Sequence, residues 1–249
     1  MRLGLSLAIT QPRLYGGAVP WTPADITTAA WFDAADASTI TESGGLVSQW
    51  DDKSGNGNHA TQGAGANQLE VSSLNGLNAI EGRNGVQYMT VSNQPTVKYC
   101  AAVALVTSAS AANVVGLGVG SAIVPEFFIR AASPNISFVG SGSTLGSYSL
   151  NGGAFSANGG QFSDAGVIAG QGILISGELA NVFDLVSIAG RNTANVGPTN
   201  TEKIGEILWL DAKPSISDEQ SLQGYLAWKW GLEASLPVDH PYKTSPPMA

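Results

Sequence analysis

The composition of the chain excludes several classes of protein before any motif is considered. It has 249 residues, of which 43% are hydrophobic and 12% charged, and its formal net charge is −8 at pH 7. The 11 Lys and Arg residues are scattered singly, so the basic surface typical of nucleic-acid binding is absent. No apolar run approaches about 18 residues, so we expect no membrane-spanning helix. Sparse charge with 31 glycines favours a turn-rich β protein over a helical bundle.

Residues 1–20 are predicted to form an N-terminal arm, because apolar side chains alternate there with small or polar ones, as in a β-strand. The pattern predicts either an edge strand of the chain's own sheet or an arm that adds a strand to a neighbouring subunit. The side chains expected to bind that partner are Leu3, Leu5, Leu7, Ile9, Leu14 and Tyr15. We expect no signal peptide, because the apolar run after Arg2 is short and Gln-Pro-Arg follows it instead of a small-residue cleavage site.

Short β-prone segments separated by glycine turns fill residues 21–235, and residues 236–249 are expected to form a tail. Predicted strands include Ala30–Asp33, Leu46–Trp50, Val97–Val106, Asn113–Val119, Ile123–Ile129, Ile136–Val139, Ser147–Leu150, Val167–Ala169, Ile173–Ile175, Val182–Ala189 and Ile204–Leu210. Cys100 lies in one of these runs and is expected to be a reduced core residue. The fold class predicted is all-β, a two-sheet antiparallel β-sandwich of the jelly-roll type with one C-terminal amphipathic helix.

A dense polar loop follows Trp50 and carries the best candidates for a metal site. Calcium takes six to eight oxygen ligands on a flexible, glycine-containing loop, and the loop offers oxygens from Asp51, Asp52, Asn56 and Asn58. The spacing lacks the terminal Glu of an EF-hand, and the same Asn and Gly residues also favour tight turns without any ion. A calcium site and a structural turn therefore remain two interpretations of this loop, and no other cofactor is predicted.

Catalytic side chains are scarce. His59 is interpreted as a loop residue that caps its own turns, and His240 as a surface residue of the tail; no G-x-S-x-G motif accompanies either. Glycoside hydrolysis needs two facing carboxylates, and the nearest local pair is Glu202 and Glu206. Because Glu202 is placed before the strand that begins at Ile204, we expect that the protein is not an enzyme.

Carbohydrate binding is an alternative function, because exposed aromatic rings stack on sugars. Burial in the core is the default for such rings. The candidates are Trp21, Trp31, Trp50, Tyr88 and Tyr148.

The segment Ile204–Leu232 combines the last strand with the one predicted helix. Ser217 is the predicted N-cap, with Gln220 completing a capping box, and Gly231 lies where a C-cap is expected. One helix face is apolar, and Lys229 on that face is interpreted as an aliphatic stem that carries its charge to solvent. The apolar residues of the face are Leu222, Tyr225, Leu226, Trp230 and Leu232. We expect this helix to close the sandwich.

Several segments resemble the laminin-G-like, concanavalin A-like jelly-roll domain. They are Ala30–Ala34, Val47–Ala60, Asn75–Ile80, Gly205–Leu208, Ser217–Glu219 and Gly224–Leu232. The ending, with its sequence YLAWKWGL, is similar to domains of tailed-bacteriophage virion proteins and bacterial surface proteins. One departure is Ile80-Glu81-Gly82, which stands where the family has Phe-Asp-Gly.

The resemblance implies a non-enzymatic virion structural protein, such as a capsid decoration, head-fibre or tail-associated subunit. Such a protein is made in the host cytoplasm, is present in many copies or as a homo-oligomer, and binds other virion proteins. We expect it to dock through its arm and to bind neither nucleic acid nor membrane. Binding of host-surface or cell-surface glycans is the alternative.

Overall fold

The structure is a computed structural model that describes residues 19–82, 87–106, 112–119, 127–132, 135–138, 145–155, 172–189 and 202–249. These ranges contain fifteen β-strands, one α-helix and four short 3-10 helices. Within them, no helix is long and apolar enough to span a membrane. The arm residues expected to bind a partner, the predicted strand Val167–Ala169 and the first part of Ile123–Ile129 lie outside the described residues.

The strands are numbered in chain order. They are β1 (Ala30–Asp33), β2 (Ile40–Ser43), β3 (Leu46–Trp50), β4 (Ala60–Thr61), β5 (Leu69–Leu74), β6 (Leu77–Gly82), β7 (Met89–Val91), β8 (Thr96–Val106), β9 (Ala112–Val119), β10 (Phe127–Ala132), β11 (Asn135–Phe138), β12 (Leu145–Leu150), β13 (Gly153–Phe155), β14 (Gly172–Ile188) and β15 (Glu202–Leu210). The helix α1 spans Ile216–Lys229.

All described strands are linked by antiparallel hydrogen bonds into one large sheet. Its main path runs β1-β15-β6-β5-β3-β4-β7-β14-β9-β10-β11, with β8 bonded to both β14 and β15. Since β14 and β15 each pair with more than two strands at different points along their length, the sheet curls instead of lying flat. The expectation of a mostly β, antiparallel fold with one helix is confirmed.

Strand β8 separates two hydrophobic clusters, because successive side chains of a strand point to opposite faces. Cys100, Ala102 and Ala104 belong to the cluster enclosed by the curled sheet, together with residues of β1, β3, β6, β7 and β15. The alternate residues Tyr99, Ala101 and Val103 belong to the cluster that packs against α1. Burial on both faces explains why β8 carries only apolar or aromatic side chains from Tyr99 onward, and Cys100 is a buried free thiol as expected.

Most element predictions agree with the structure, and the exceptions are informative. Ala30–Asp33 and Leu46–Trp50 form the strands expected. The predicted strand Ile173–Ile175 and all but the last residue of the predicted strand Val182–Ala189 belong to one 17-residue strand, β14. The strand expected to begin at Ile204 begins at Glu202.

Helix α1 begins two residues earlier than predicted. Its N-cap is Ser215, whose hydroxyl accepts a hydrogen bond from the backbone N–H of Asp218 at 3.1 Å. Ser217, the predicted cap, lies inside the first turn. At the other end the C-cap is Trp230, and Gly231 follows it with φ +67°. The N–H of Leu232 donates to the carbonyl of Ala227 at 2.7 Å, so a left-handed glycine ends the helix close to the predicted place.

The C-terminal residues return to the start of the described chain. Pro20 forms a β-bridge with Met248, and the N–H of Ala249 donates to the carbonyl of Val19 at 2.9 Å. His240 is buried, contrary to its interpretation as a surface residue, and its Nε2 lies 3.2 Å from Oε1 of Gln223 in α1.

Candidate functional site

Two buried carboxylates face each other under helix α1. Asp33 of β1 and Glu206 of β15 are direct partners in the antiparallel register. Asp33 is 4% exposed and Glu206 is 0% exposed. Like charges directly opposite one another destabilise a sheet, and a buried unpaired charge is costly. The pair therefore requires a cation.

Lys229, at the C-terminal end of α1, supplies that cation. Its Nζ lies 2.6 Å from Oδ1 of Asp33 and 2.7 Å from Oε2 of Glu206. The interpretation of Lys229 as a stem that carries its charge to solvent is wrong, because the ammonium group turns inward to the two desolvated carboxylates. We call these three residues the Asp33–Glu206–Lys229 cluster.

Neutral donors fix the carboxylate of Glu206 in place. Oε1 accepts from the indole N–H of Trp31 at 2.8 Å and from the hydroxyl of Tyr225 at 3.2 Å. Oε2 accepts from the indole N–H of Trp230 at 2.8 Å. Burial raises the pKa of Glu206, and the charge of Lys229 opposes that shift. Burial and the Glu206 charge also raise the pKa of Tyr225, so its phenol remains a donor.

A second lysine borders the cluster on its outer side. Nζ of Lys53 lies 2.9 Å from Oδ2 of Asp33 and 2.8 Å from Oδ2 of Asp36. The hydrogen bond from Lys53 lowers the pKa of Asp36 to about 2. Burial lowers the pKa of Lys53, but its hydrogen bonds to the two carboxylates outweigh burial and leave that pKa raised. Lys53 also lies 4.8 Å above the ring of Trp31.

A glycine bulge in β15 directs Glu206 toward the helix. The register between β15 and β8 shifts between Ile204 and Glu206. In consequence Ile204 and Ile207 both belong to the sheet-enclosed cluster, although an odd separation would place them on opposite faces of a regular strand. A Cβ at Gly205 would lie 2.7 Å from the Trp230 ring, so glycine permits that ring to pack directly on the strand.

The polar loop after Trp50 covers the outer edge of β1. The carboxylate of Asp52 accepts from the N–H of Trp31 at 2.8 Å, the N–H and hydroxyl of Ser54, and the N–H of Asn58. In return the N–H of Lys53 donates to the carbonyl of Trp31 at 2.7 Å. These bonds satisfy an edge that is otherwise open to another strand.

The remaining calcium candidates also make bonds within the protein. The side-chain amides of Asn56 and Asn58 donate to the carbonyl of Ala29, and Asp51 lies 3.1 Å from Nδ1 of His59. The N–H of Asp52 donates to that nitrogen at 3.2 Å, which confirms His59 as a turn-capping residue. In the part of the chain that the structure describes, no group of three or more His, Cys, Asp or Glu is arranged to hold a metal. Calcium binding by Asp51, Asp52, Asn56 and Asn58 stays a prediction.

The aromatic residues proposed for sugar stacking are mostly in the core. Trp21, Trp31 and Trp50 are 7%, 8% and 0% exposed. Tyr88 is half-buried, and the side chain of Tyr148 lies outside the described part. An open depression of about 340 Å³ occurs elsewhere, on β2, β5 and β6, and contains none of these residues. It is lined by Ala37, Ile40, Glu42, Gly45, Val71 and Asn78.

Sequence reasoning did not predict the Asp33–Glu206–Lys229 cluster, whose members are far apart along the chain. The sequence did contain one signal for it, because Glu206 and Lys229 are charged residues within otherwise apolar segments. A charged residue in such a segment is rarely buried unless it is paired.

Comparisons with known proteins give little guidance. No protein-family model and no curated protein matches the sequence. Trypanosoma rangeli sialidase in complex with sialic acid has a TM-score of 0.46 and 11% identity over 85% of this chain and 36% of that chain. The same sialidase with the inhibitor DANA has a TM-score of 0.43 and 10% identity over 81% of this chain and 34% of that chain. The chain spans about a third of the length of these structures.

These two matches bear on one expectation from the sequence. Both structures are of enzymes, which contradicts the expectation that the protein is not an enzyme, and that expectation is withdrawn. At TM-scores below 0.5 the likeness carries neither an activity nor a substrate over to this chain. Neither structure is described as a phage or laminin-G-like protein.

Proposed function

We propose that the protein is a virion structural subunit with a laminin-G-like, two-sheet jelly-roll body that docks onto a neighbouring subunit through residues 1–18. The family resemblance of its sequence supports the virion context. The alternating apolar residues Leu3, Leu5, Leu7 and Ile9 support the mode of docking, because a strand that adds to a partner's sheet gains main-chain hydrogen bonds and places alternate side chains in pockets.

The observation that carries the proposal is the fixed junction between arm and body. Beside the bonds of Val19 and Pro20 to the C-terminal residues, the N–H of Trp21 donates to the carbonyl of Pro247 at 3.1 Å. The Trp21 ring is buried and lies 6.1 Å from the Tyr225 ring of α1 in an edge-on arrangement. The residues that follow the arm are therefore anchored to the body by backbone hydrogen bonds and by one buried ring.

The test is removal of the arm without the junction. Deletion of residues 2–18 leaves the bonds of Val19, Pro20 and Trp21 to the tail, so we expect an unchanged thermal midpoint. The truncated protein should fail to enter particles in an assembly system that supplies the other virion proteins.

Matched variants test whether docking depends on the apolar side chains of the arm or only on its length. Replacing Leu3, Leu5, Leu7 and Ile9 together by Ser should abolish incorporation, whereas Arg2→Gln with Ser6→Thr, which leaves the apolar residues in place, should not. Normal incorporation of the truncated protein would show that the arm does not dock.

A further inference from the structure

An amine and a carboxyl group are held in contact inside the protein. The Nζ atom of Lys229 lies 2.6 Å from Oδ1 of Asp33. Formation of a covalent bond starts from reacting atoms about 3–3.5 Å apart, and a nitrogen this close to a carboxyl oxygen is near its carbon. Both groups are fixed in place, because Asp33 lies in a paired strand and Lys229 ends a helix whose apolar face packs in one cluster with Trp31 of that strand.

The surroundings favour reaction over a permanent ion pair. The side chain of Asp33 is 5% exposed, that of Glu206 is 0% exposed, and that of Lys229 is 20% exposed. Lys229 Nζ lies 5.3 Å from the ring centre of Tyr225 and 5.7 Å from that of Trp230. Because both carboxylates are almost entirely buried, water is largely excluded from the place where the amine meets the carboxyl carbon.

Glu206 is placed to move the proton that the reaction must transfer. Its Oε2 lies 2.7 Å from Nζ of Lys229, and the carboxylate of Asp33 is its cross-strand neighbour. The indole N–H groups of Trp31 and Trp230 hold Glu206 independently of Lys229, whereas the hydroxyl of Tyr225 also accepts from Nζ of Lys229 at 3.1 Å. The carboxylate therefore keeps its position and its two indole hydrogen bonds when the lysine charge disappears.

We propose that Lys229 and Asp33 form an intramolecular isopeptide bond, with Glu206 as the general base and acid. The ammonium group of Lys229 first gives one proton to the Asp33 carboxylate. The resulting amine attacks Cγ of Asp33, and Glu206 takes a second proton from the nitrogen. Glu206 then returns that proton to the leaving hydroxyl group. One C–N bond forms, one C–O bond breaks, one water molecule leaves, and Glu206 is again a carboxylate, so no oxidant or co-reactant is required.

Lys53 also contacts Asp33, but its surroundings do not favour the reaction. Its second neighbour is Asp36, whose side chain is 36% exposed, so water reaches that ion pair. The low pKa of Asp36 makes it a poor proton acceptor. Lys53 therefore serves as the control nucleophile, at 2.9 Å from the same carboxyl group.

The test is the intact mass of the purified full-length protein under denaturing conditions. After allowance for removal of Met1, the mass should be lower than that of the sequence by one water molecule. Peptide mapping should then give a branched peptide that joins Asp33 to Lys229. An unmodified mass, or loss of water within a linear peptide, would overturn the proposal.

Variants assign the roles of the three residues. Lys229→Arg, Asp33→Ala and Glu206→Gln should each restore the full sequence mass, whereas Lys53→Arg should still lose water. Asp33→Asn should give the same branched product as the unchanged protein, by loss of ammonia. Circular dichroism of each variant confirms that it is folded. A folded Glu206→Gln protein that still forms the branched peptide would overturn the role of Glu206.

Discussion

Glu206 is a buried carboxylate that neighbouring residues stabilise by hydrogen bonding and charge pairing. Two indole N–H groups, one phenol and one ammonium group donate to it. Such a network is stabilising only when every member has a partner. If one partner is missing, an unpaired charge remains in the low-dielectric interior, where it is costly. The packing of Trp230 on β15 is thus a condition for the charge cluster, and it depends on one small residue.

Gly205 is that small residue, and Gly205→Ala is expected to destabilise the protein. The added methyl group would lie 2.7 Å from the Trp230 ring, and overpacking of this kind costs roughly 1–3 kcal/mol of unfolding free energy. Chemical denaturation measures the loss. Gly63→Ala is the matched control, because no atom lies within 4 Å of its added carbon. Equal stability of both variants would show that Trp230 does not pack on β15 as described.

At the scale of an element, the loop after Trp50 explains how the edge strand β1 is protected. Its carboxylate and amide side chains replace the hydrogen bonds that a neighbouring strand would provide. The sequence showed the polar residues and glycines of this loop, which suit both an ion site and a turn. Their backbone partners at Thr28, Ala29 and Trp31 lie 21 to 29 residues away from them along the chain, so local pattern did not identify them.

Asp52→Ala is expected to loosen this loop and expose the edge of β1. The change removes the acceptor of four hydrogen bonds. Each bond to a charged group contributes at most about 1.5–3 kcal/mol, and water that bonds to the freed donors recovers part of this loss. Hydrogen exchange at the N–H of Trp31 should become faster, whereas Asp51→Ala, at a half-buried position, should leave it unchanged. Unchanged exchange in Asp52→Ala would contradict the role given to the loop.

The same loop gives a direct test of calcium binding. A ligand that binds only the folded state raises its stability in proportion to the logarithm of its concentration. If Asp51, Asp52, Asn56 and Asn58 bind calcium, the thermal midpoint should rise with added calcium and fall with a chelator, and Asp51→Ala should remove the response. An unchanged midpoint would leave the loop with its structural role alone.

At the scale of the whole molecule, the limits of prediction follow from how far apart the interacting residues lie. Alternation, glycine turns and the apolar helix face are local signals, and they predicted β1, β3 and the helix. The pairing of Asp33 with Glu206, and of both with Lys229, depends on the order of strands in the curled sheet. No local period encodes that order.

His240 is buried where the C-terminal residues attach to the body, and we therefore expect the stability of the protein to depend on pH. Burial lowers the pKa of His240 below its ordinary value of 6.5. The unfolded state therefore binds more protons just below pH 6.5, and stability falls as the pH decreases through that window. His240→Gln should flatten the stability curve between about pH 7 and pH 5, as measured by denaturation at each pH. A variant curve parallel to that of the unchanged protein would contradict burial of this ring.

The meeting of Val19 with Ala249 and of Pro20 with Met248 has a consequence for engineering. Because residues at the two ends of the body are joined by backbone hydrogen bonds, a short glycine-serine linker is long enough to connect them covalently. The chain is then free to be reopened at the exposed loop around Gly63, giving a circular permutant with the same strand order in space. In the unpermuted protein, cargo joined to Ala249 would leave the body beside Val19.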